Sequence, residues 1–345
     1  MSASGNATIA IDAMGGDGGT TVVVEAARLF LDRHSDVRLL LFGDPGIIEA
    51  AIGARALPAD RVQIRAAEEV VTMEDSAAVA LRNKKRSSMR LAINAVKEEE
   101  AQACVSAGNT GALMAISKFV LKTVPGIDRP AIAAIIPAIG GHTHMLDLGA
   151  NVDSTADHLY QFAQMGSILA SAVDSASRPA GWVPRVGLLN IGSEDIKGNE
   201  QVKAATPLLQ NSGLNYIGYV EGDQIYSDMI DVVVCDGFVG NVSLKTSEGV
   251  ARMVSKYMKE EFTRSWRNKL IGLLARPVLR AFSDRIDPRR YNGASLLGLR
   301  GVVVKSHGGA DAVAYTNAMD IALVEIRNAV PETIARQLDA ALDAA

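Results

Sequence analysis

Cysteine is nearly missing from this 345-residue chain: Cys104 and Cys235 stand far apart, with no Cys-x-x-Cys spacing. That excludes a small disulfide-stapled fold and reads as two reduced thiols in a cytoplasmic protein. No uninterrupted apolar run reaches the ~18 to 20 residues that span a bilayer, and no basic stretch precedes an apolar core at the N-terminus. Neither membrane spanning nor secretion is expected. An excess of one charge is missing too: 35 Lys and Arg against 39 Asp and Glu leave a net charge of -4, which argues against a nucleic-acid binder. There is no internal repeat, no low-complexity linker and no G-x-x-x-x-G-K-[ST] loop. The pattern G-x-G-x-x-G fails because Thr21 stands three residues after Gly18, so a nucleotide site of either kind is not expected.

What is present suits a large globular fold. With 48% hydrophobic and 21% charged residues, the chain can bury a sizeable core as one domain over 1–345, built of two merged lobes. Short apolar runs, often Val/Ile-rich, at 8–14, 37–42, 62–66, 103–107, 186–191 and 231–235 read as strands buried on both faces. Between them, 20–34, 87–100, 110–123, 155–171 and 241–262 carry apolar residues at helical steps. The result is an α/β fold on a mainly parallel sheet with flanking helices. Runs 131–137 and 143–148, joined through Gly140 and Gly141, predict an antiparallel hairpin, which makes the sheet mixed.

Open α/β sheets bind ligands beyond the carboxyl ends of their strands, and here several of those ends are polar and glycine-rich. Asp12-Ala13-Met14-Gly15-Gly16-Asp17-Gly18-Gly19 follows the first strand; it is either a plain turn or a place where backbone amides approach an anion. Ser106-Ala107-Gly108-Asn109-Thr110-Gly111 opens a helix. Asn109 or Thr110 caps that helix, a role compatible with phosphate binding at its first amides. In Asn190-Ile191-Gly192-Ser193-Glu194-Asp195-Ile196-Lys197-Gly198-Asn199-Glu200, one lysine stands among small and acidic residues. Lys197 is either a solvated side chain or a point charge for phosphate or an oxyanion. In Asp236-Gly237-Phe238-Val239-Gly240-Asn241-Val242, Asn241 either caps a long helix or orients a carbonyl.

Taken together, these blocks resemble the phosphate acyltransferase family PlsX, from I-D-A-M-G-G-D at 11–17 to K-S-H-G-G-A-D at 305–311. The matching stretches are 11–17, 106–114, 129–131, 146–153, 187–200, 221–223, 236–243 and 301–311. The resemblance implies reversible transfer of a long-chain acyl group from acyl carrier protein to inorganic phosphate, feeding phospholipid synthesis. It also implies a homodimer, a fold similar to the isocitrate and isopropylmalate dehydrogenases without their cofactor chemistry, and a product handed to a membrane-bound acyltransferase. Phosphate is already ionised near neutral pH, so the chemistry asks only for positioning and oxyanion stabilisation, with no cofactor and no metal. Lys197 and Asn241 are the expected catalytic groups, and the resemblance points to the same two positions. Gly108, Asn109, Thr110, Ser193, Gly198, Asn199 and Asp236 are expected around the substrate.

His307 either protonates the departing thiolate or is a structural strand-end histidine. Cys104 and Cys235 lie in or at the end of apolar strands and read as inert core thiols, which favours direct attack by phosphate over an acyl-enzyme. His142 and His144 share one face of a strand, but two histidines without a third ligand make a weak metal site, and none is assigned. Residues 262–290 differ from the rest: eight basic residues face Asp284 and Asp287, a local balance of +6. Trp266, Leu270, Ile271, Leu273, Leu274, Val278, Leu279 and Phe282 are interleaved, and Pro277 splits the run. This predicts an amphipathic basic helical hairpin. Arg264, Arg267, Lys269, Leu273, Leu274, Arg276 and Arg280 would meet an anionic membrane surface peripherally or an acidic carrier protein, or the pair is a dimer-interface element with a charged edge. Two rivals remain open here: an NAD-dependent hydroxyacid dehydrogenase of similar fold, and a non-enzymatic membrane-surface adaptor for carrier protein.

Overall fold

The computed structural model describes residues 7–53 and 56–343. Among these residues eleven strands form one sheet: β1 Ala7–Asp12, β2 Val37–Gly43, β3 Val62–Ala66, β4 Ala103–Ser106, β5 Ala131–Ala138, β6 Gly141–Leu146, β7 Val186–Leu189, β8 Tyr216–Val220, β9 Val232–Val234, β10 Ala294–Leu297 and β11 Val302–Lys305. Their order is β3-β2-β1-β4-β11-β10-β5-β6-β9-β7-β8. The fully buried Ile9, Ile11, Val105, Val232, Val233 and Val234 show why these runs are continuously apolar: helices cover both faces.

The sheet is mixed in a particular way. β3, β2, β1, β4 and β11 pair in parallel, as do β6, β9, β7 and β8. The centre is antiparallel: β10 pairs with β11 and β5, and β5 pairs with β6 through Ala133↔Leu146 and Ala138↔Gly141. The predicted hairpin is therefore β5–β6. Three successive antiparallel pairings reverse the direction of the second parallel half. The carboxyl ends of β1, β4 and β11 consequently lie at one end of the sheet, and those of β6, β7 and β9 at the other.

Three packed clusters support this sheet. The helix Gly19–Arg33 brings Val23, Val24, Ala27 and Phe30 onto Ile9, Ile11 and Leu39, joined by Tyr315, Met319 and Leu323 of Ala312–Arg327. Under the second half, Leu159, Phe162 and Met165 of Ala156–Asp174 meet Leu146, Val232 and Val234. The opposite face carries Met89, Ile93, Leu113, Ile116, Met145, Val233 and Cys235, with Leu244 packed against it.

Helix starts are set by short polar caps. Ser87 accepts the Arg90 amide at 3.3 Å before Ser88–Lys97, and Asn109 accepts the Ala112 amide at 3.0 Å before Thr110–Leu121. Asn109, of the two candidates, is the cap. The helix Gly237–Thr263 begins four residues earlier than its periodicity predicts. Asp236, not Asn241, caps it, accepting from the Phe238 amide at 2.9 Å. Trp266–Leu274 and Arg276–Ile286 follow, with Pro277 in the first turn of the second, where a missing N–H costs nothing. The Asp284 and Arg285 side chains, counted in the basic run, lie outside the described residues. No helix among the described residues is long and apolar enough to cross a membrane.

Candidate functional site

The glycine-rich loops separate into two clusters, one at each end of the sheet, because the two parallel halves run oppositely.

The first cluster is built on Asp12 at the tip of β1. Its carboxylate is buried and accepts the Ser88 hydroxyl at 2.6 Å, the Ser106 hydroxyl at 2.7 Å and the Met14 amide at 3.3 Å. Burial pushes its pKa up while these donors pull it down, and the balance stays raised. Gly108 donates to the Ser106 hydroxyl oxygen at 3.0 Å, and a side chain at Gly15 would come within 2.7 Å of both Asp12 and the Gly108 amide. Close approach of two loops explains the glycines. Lys305 ends β11 beside them. Its ammonium donates to the carbonyl of Ala107 at 3.1 Å and to that of Ser306. Burial lowers its pKa to about 8, with Asp12 opposing the shift and Lys245 adding to it.

Asn109 is fully occupied: besides capping, its amide nitrogen donates to the carbonyls of Met73 at 3.0 Å and Asp75 at 2.9 Å. Its role is to hold the 72–75 loop beside the helix start. Thr110 is exposed at the first helical position, so its hydroxyl and the first-turn amides are what this helix offers an anion. His307 is exposed and accepts from the Gly309 amide at 3.1 Å through Nδ1. That bond leaves Nε2 carrying the proton. Burial, followed by the charge of Lys245, lowers its pKa, so the ring is neutral near pH 7. It is therefore a neutral hydrogen-bond donor through Nε2.

The second cluster is organised by Asp147 after β6, buried and raised in pKa by that burial. It accepts from Ile132 at 2.8 Å, Ala150 at 3.1 Å and both nitrogens of Asn151 at 2.7 and 2.9 Å. Gly237–Thr263 starts directly on this loop. A side chain at Gly240 would lie 1.8 Å from the Asp147 carbonyl oxygen, and one at Gly237 would lie 2.3 Å from that of Asn151. Only glycine permits this seat. Asp236 spends both oxygens on backbone, one on Phe238 and the other on the Ser154 amide at 2.8 Å. Its placement is that of a clamp between the helix start and the 151–154 loop.

Asn241, exposed in the second turn, faces Gly149, where φ is +117°. The neighbouring β7 loop is folded around Asn190, which donates to Gly192 at 3.1 Å and backs against Gly198, φ +99°. Lys197 is 43% exposed and 2.8 Å from Glu194, which raises its pKa. It is therefore a cation at neutral pH, positioned on a rim. Ser193 is exposed, and Asn199 caps Glu200–Gln210 by accepting from Val202 at 2.9 Å.

Lys245, one helical turn beyond Asn241 and thus on the same helix face, is a residue that sequence reasoning missed. Its charge reaches both Lys305 and His307, so the helix spans the gap between the clusters. The i, i+4 spacing from Asn241 was the available signal. Lys305 and Asp12 were missed as site residues because neither burial nor their mutual approach is visible in a linear motif. Cys104 and Cys235 are 0% and 3% exposed, and burial holds both thiols far above their ordinary pKa, which disarms them as nucleophiles.

A family model described as "Fatty acid synthesis protein" matches residues 7–333. The chain is 57% identical over 332 residues to a phosphate acyltransferase of Methylococcus capsulatus, covering 96% of each. It is 57% identical over 333 residues to one of Nitrosococcus oceani, again covering 96% of each. Among solved structures, a phosphotransacetylase from Streptococcus pyogenes superposes with a TM-score of 0.63 at 16% identity, over 93% of this chain and 94% of that one. At that identity the likeness is one of fold.

Proposed function

Since the chain belongs to the fatty acid synthesis protein family, the PlsX phosphate acyltransferases, we propose that it transfers a long-chain acyl group from acyl carrier protein to its substrate phosphate, releasing acyl phosphate. A phosphate oxygen attacks the thioester carbonyl, the tetrahedral oxyanion collapses, and the carrier leaves as a thiolate. Direct attack agrees with the two buried, high-pKa thiols. The observation that carries this reading is the glycine-built seat that aims Asn241 from a rigid helix start, with Lys245 one turn on and the cationic Lys305 beyond it.

In this arrangement Asn241 hydrogen-bonds the reacting carbonyl, while Lys197 and Lys245 supply charge for phosphate and oxyanion. In the other cluster, Thr110 with the first-turn amides of its helix offers a separate anion position. Loss of one such donor costs about 2.7 to 4 kcal/mol of barrier. His307 donates through Nε2 to the leaving sulfur. Ser193, Gly198 and Asn199 shape the loop that presents Lys197.

The chain acts as a homodimer on this reading. Val239, Val242, Val250, Met253 and Tyr257, each 42–59% exposed, fall at steps of three, eight, three and four residues, close to whole turns, and suit a second copy of the same helix. Trp266, Leu273, Leu274 and Val278 are 62–77% exposed among Arg264, Arg267, Lys269, Arg276 and Arg280. That combination supports peripheral contact with an anionic membrane, where the acyl phosphate passes to a membrane-bound acyltransferase. The experiment is to mix protein, long-chain acyl carrier protein and phosphate, and to trap product with hydroxylamine. Acyl hydroxamate must depend on phosphate and fall at least about 100-fold in Lys197→Ala; hydroxamate formed equally without phosphate rejects the reading.

A further inference from the structure

The two histidines that lacked a third ligand in the sequence acquire one in the fold. His142 and His144, the second and fourth residues of β6, project against Asp174, the last residue of the helix Ala156–Asp174. Nε2 of His142 lies 3.1 Å from each carboxylate oxygen, and Nε2 of His144 lies 2.9 Å from Oδ2. The three donor atoms fall within 4.8 Å of one another, and the rings stand 5.0 Å apart at 79°. We propose that His142, His144 and Asp174 bind one divalent transition-metal ion of the zinc class, fastening the β5–β6 hairpin to the carboxyl end of that helix.

Several observations converge on this. Ligands placed tetrahedrally about 2.0 to 2.2 Å from one ion are separated by roughly 3.3 to 3.6 Å, so the carboxylate-to-imidazole distances of 2.9 and 3.1 Å need open by only a few tenths of an ångström to admit a shared ion. Two imidazoles and a carboxylate, with no thiolate, are the donor set of zinc and its neighbours rather than of copper(I) or magnesium. The nearby guanidiniums are committed elsewhere: Arg185 sits 2.9 Å and Arg178 3.3 Å from Asp231. A helix carboxyl terminus also favours a cation. His144 and Asp174 are 2% and 6% exposed while His142 is 29% exposed, leaving a solvent side for entry and for a water ligand. The site stands at the amino end of β6, and Asp147 with Asn241 beyond its carboxyl end, so the ion is a fastening and not part of acyl transfer.

The full-length protein, stripped with chelator and desalted, is titrated with zinc chloride by calorimetry and with cobalt chloride by visible absorption at pH 7.5. The expected result is one ion per chain, the d–d bands of cobalt held by nitrogen and oxygen, and a raised melting temperature. His142→Ala, at the exposed rim, should weaken binding at least about 10-fold and shrink the rise in melting temperature that zinc produces in the wild type. His34→Ala, which removes an ordinary surface His–Asp pair, should leave binding unchanged. No stoichiometric ion, or equal binding by His142→Ala, would show the triad to be a hydrogen-bonded cluster and overturn the proposal.

Discussion

Gly240→Ala is the sharpest test of how the site is positioned. The added methyl carbon would lie 1.8 Å from the Asp147 carbonyl oxygen and 2.9 Å from the Cys235 sulfur. Ordinary contact begins near 3.4 Å, so helix and loop must separate by roughly 1.6 Å, and neither neighbour is a flexible side-chain end. Overpacking of this kind costs about 1 to 3 kcal/mol of stability. The displaced helix start carries Asn241 as its next residue, and a misplacement near 1 Å can cost about 100-fold in rate. Gly249→Ala on the same helix is the control, since nothing lies within 4 Å of its would-be side chain. It should be neutral or gain up to about 1 kcal/mol from helix propensity. The assay is phosphate-dependent hydroxamate formation beside thermal unfolding followed by circular dichroism. Wild-type turnover and melting in Gly240→Ala would refute the idea that glycine contact aims Asn241.

Other outcomes follow from the same geometry. Lys305 is held at about pKa 8 by burial; its charge is present below that pH and lost above it. Activity should therefore fall through an alkaline limb near pH 8, and Lys305→Arg, which cannot be deprotonated in this range, should remove the limb if it folds. Lys245→Met should raise the phosphate KM more than it lowers kcat and shift the His307 limb upward, because a neighbouring positive charge is gone. Glu325, buried against the Ser295 hydroxyl, has its pKa raised to about 7 from 4.5. Stability is full below pH 4.5 and lost as pH rises through 7, on the order of 3 kcal/mol, so Glu325→Gln should melt higher than wild type at pH 8. Replacing Cys104 and Cys235 together by Ala should retain phosphate-dependent acyl transfer and leave no acyl-enzyme detectable by mass.

The parts of this fold that were legible are those whose signal is local. Val/Ile runs at β1, β2, β4 and β9 announce strands because both faces are covered, and Gly140-Gly141 announces the hairpin. β8 was not legible: it lies at the sheet edge with Ile217 43% exposed, and Gly218 has a φ of +100°. β10 and β11 have four residues each, too short to show a period. Their antiparallel pairing reverses half the sheet, and that long-range choice separates loops that look equivalent in sequence. Lys197 and Asn241 stood out by their glycine context, whereas Asp12 and Lys305 acquire their character only by being buried together. Asn241 looked like a cap because the meaning of Gly237 and Gly240, contact with the Asp147 loop, depends on residues about 90 positions away.

The most direct measurement is phosphorus NMR of the protein mixed with long-chain acyl carrier protein and inorganic phosphate. The account predicts a new acyl phosphate resonance growing as the phosphate signal declines, and its absence when Asn241 is changed to Ala. Release of free fatty acid with the phosphate signal untouched would contradict it.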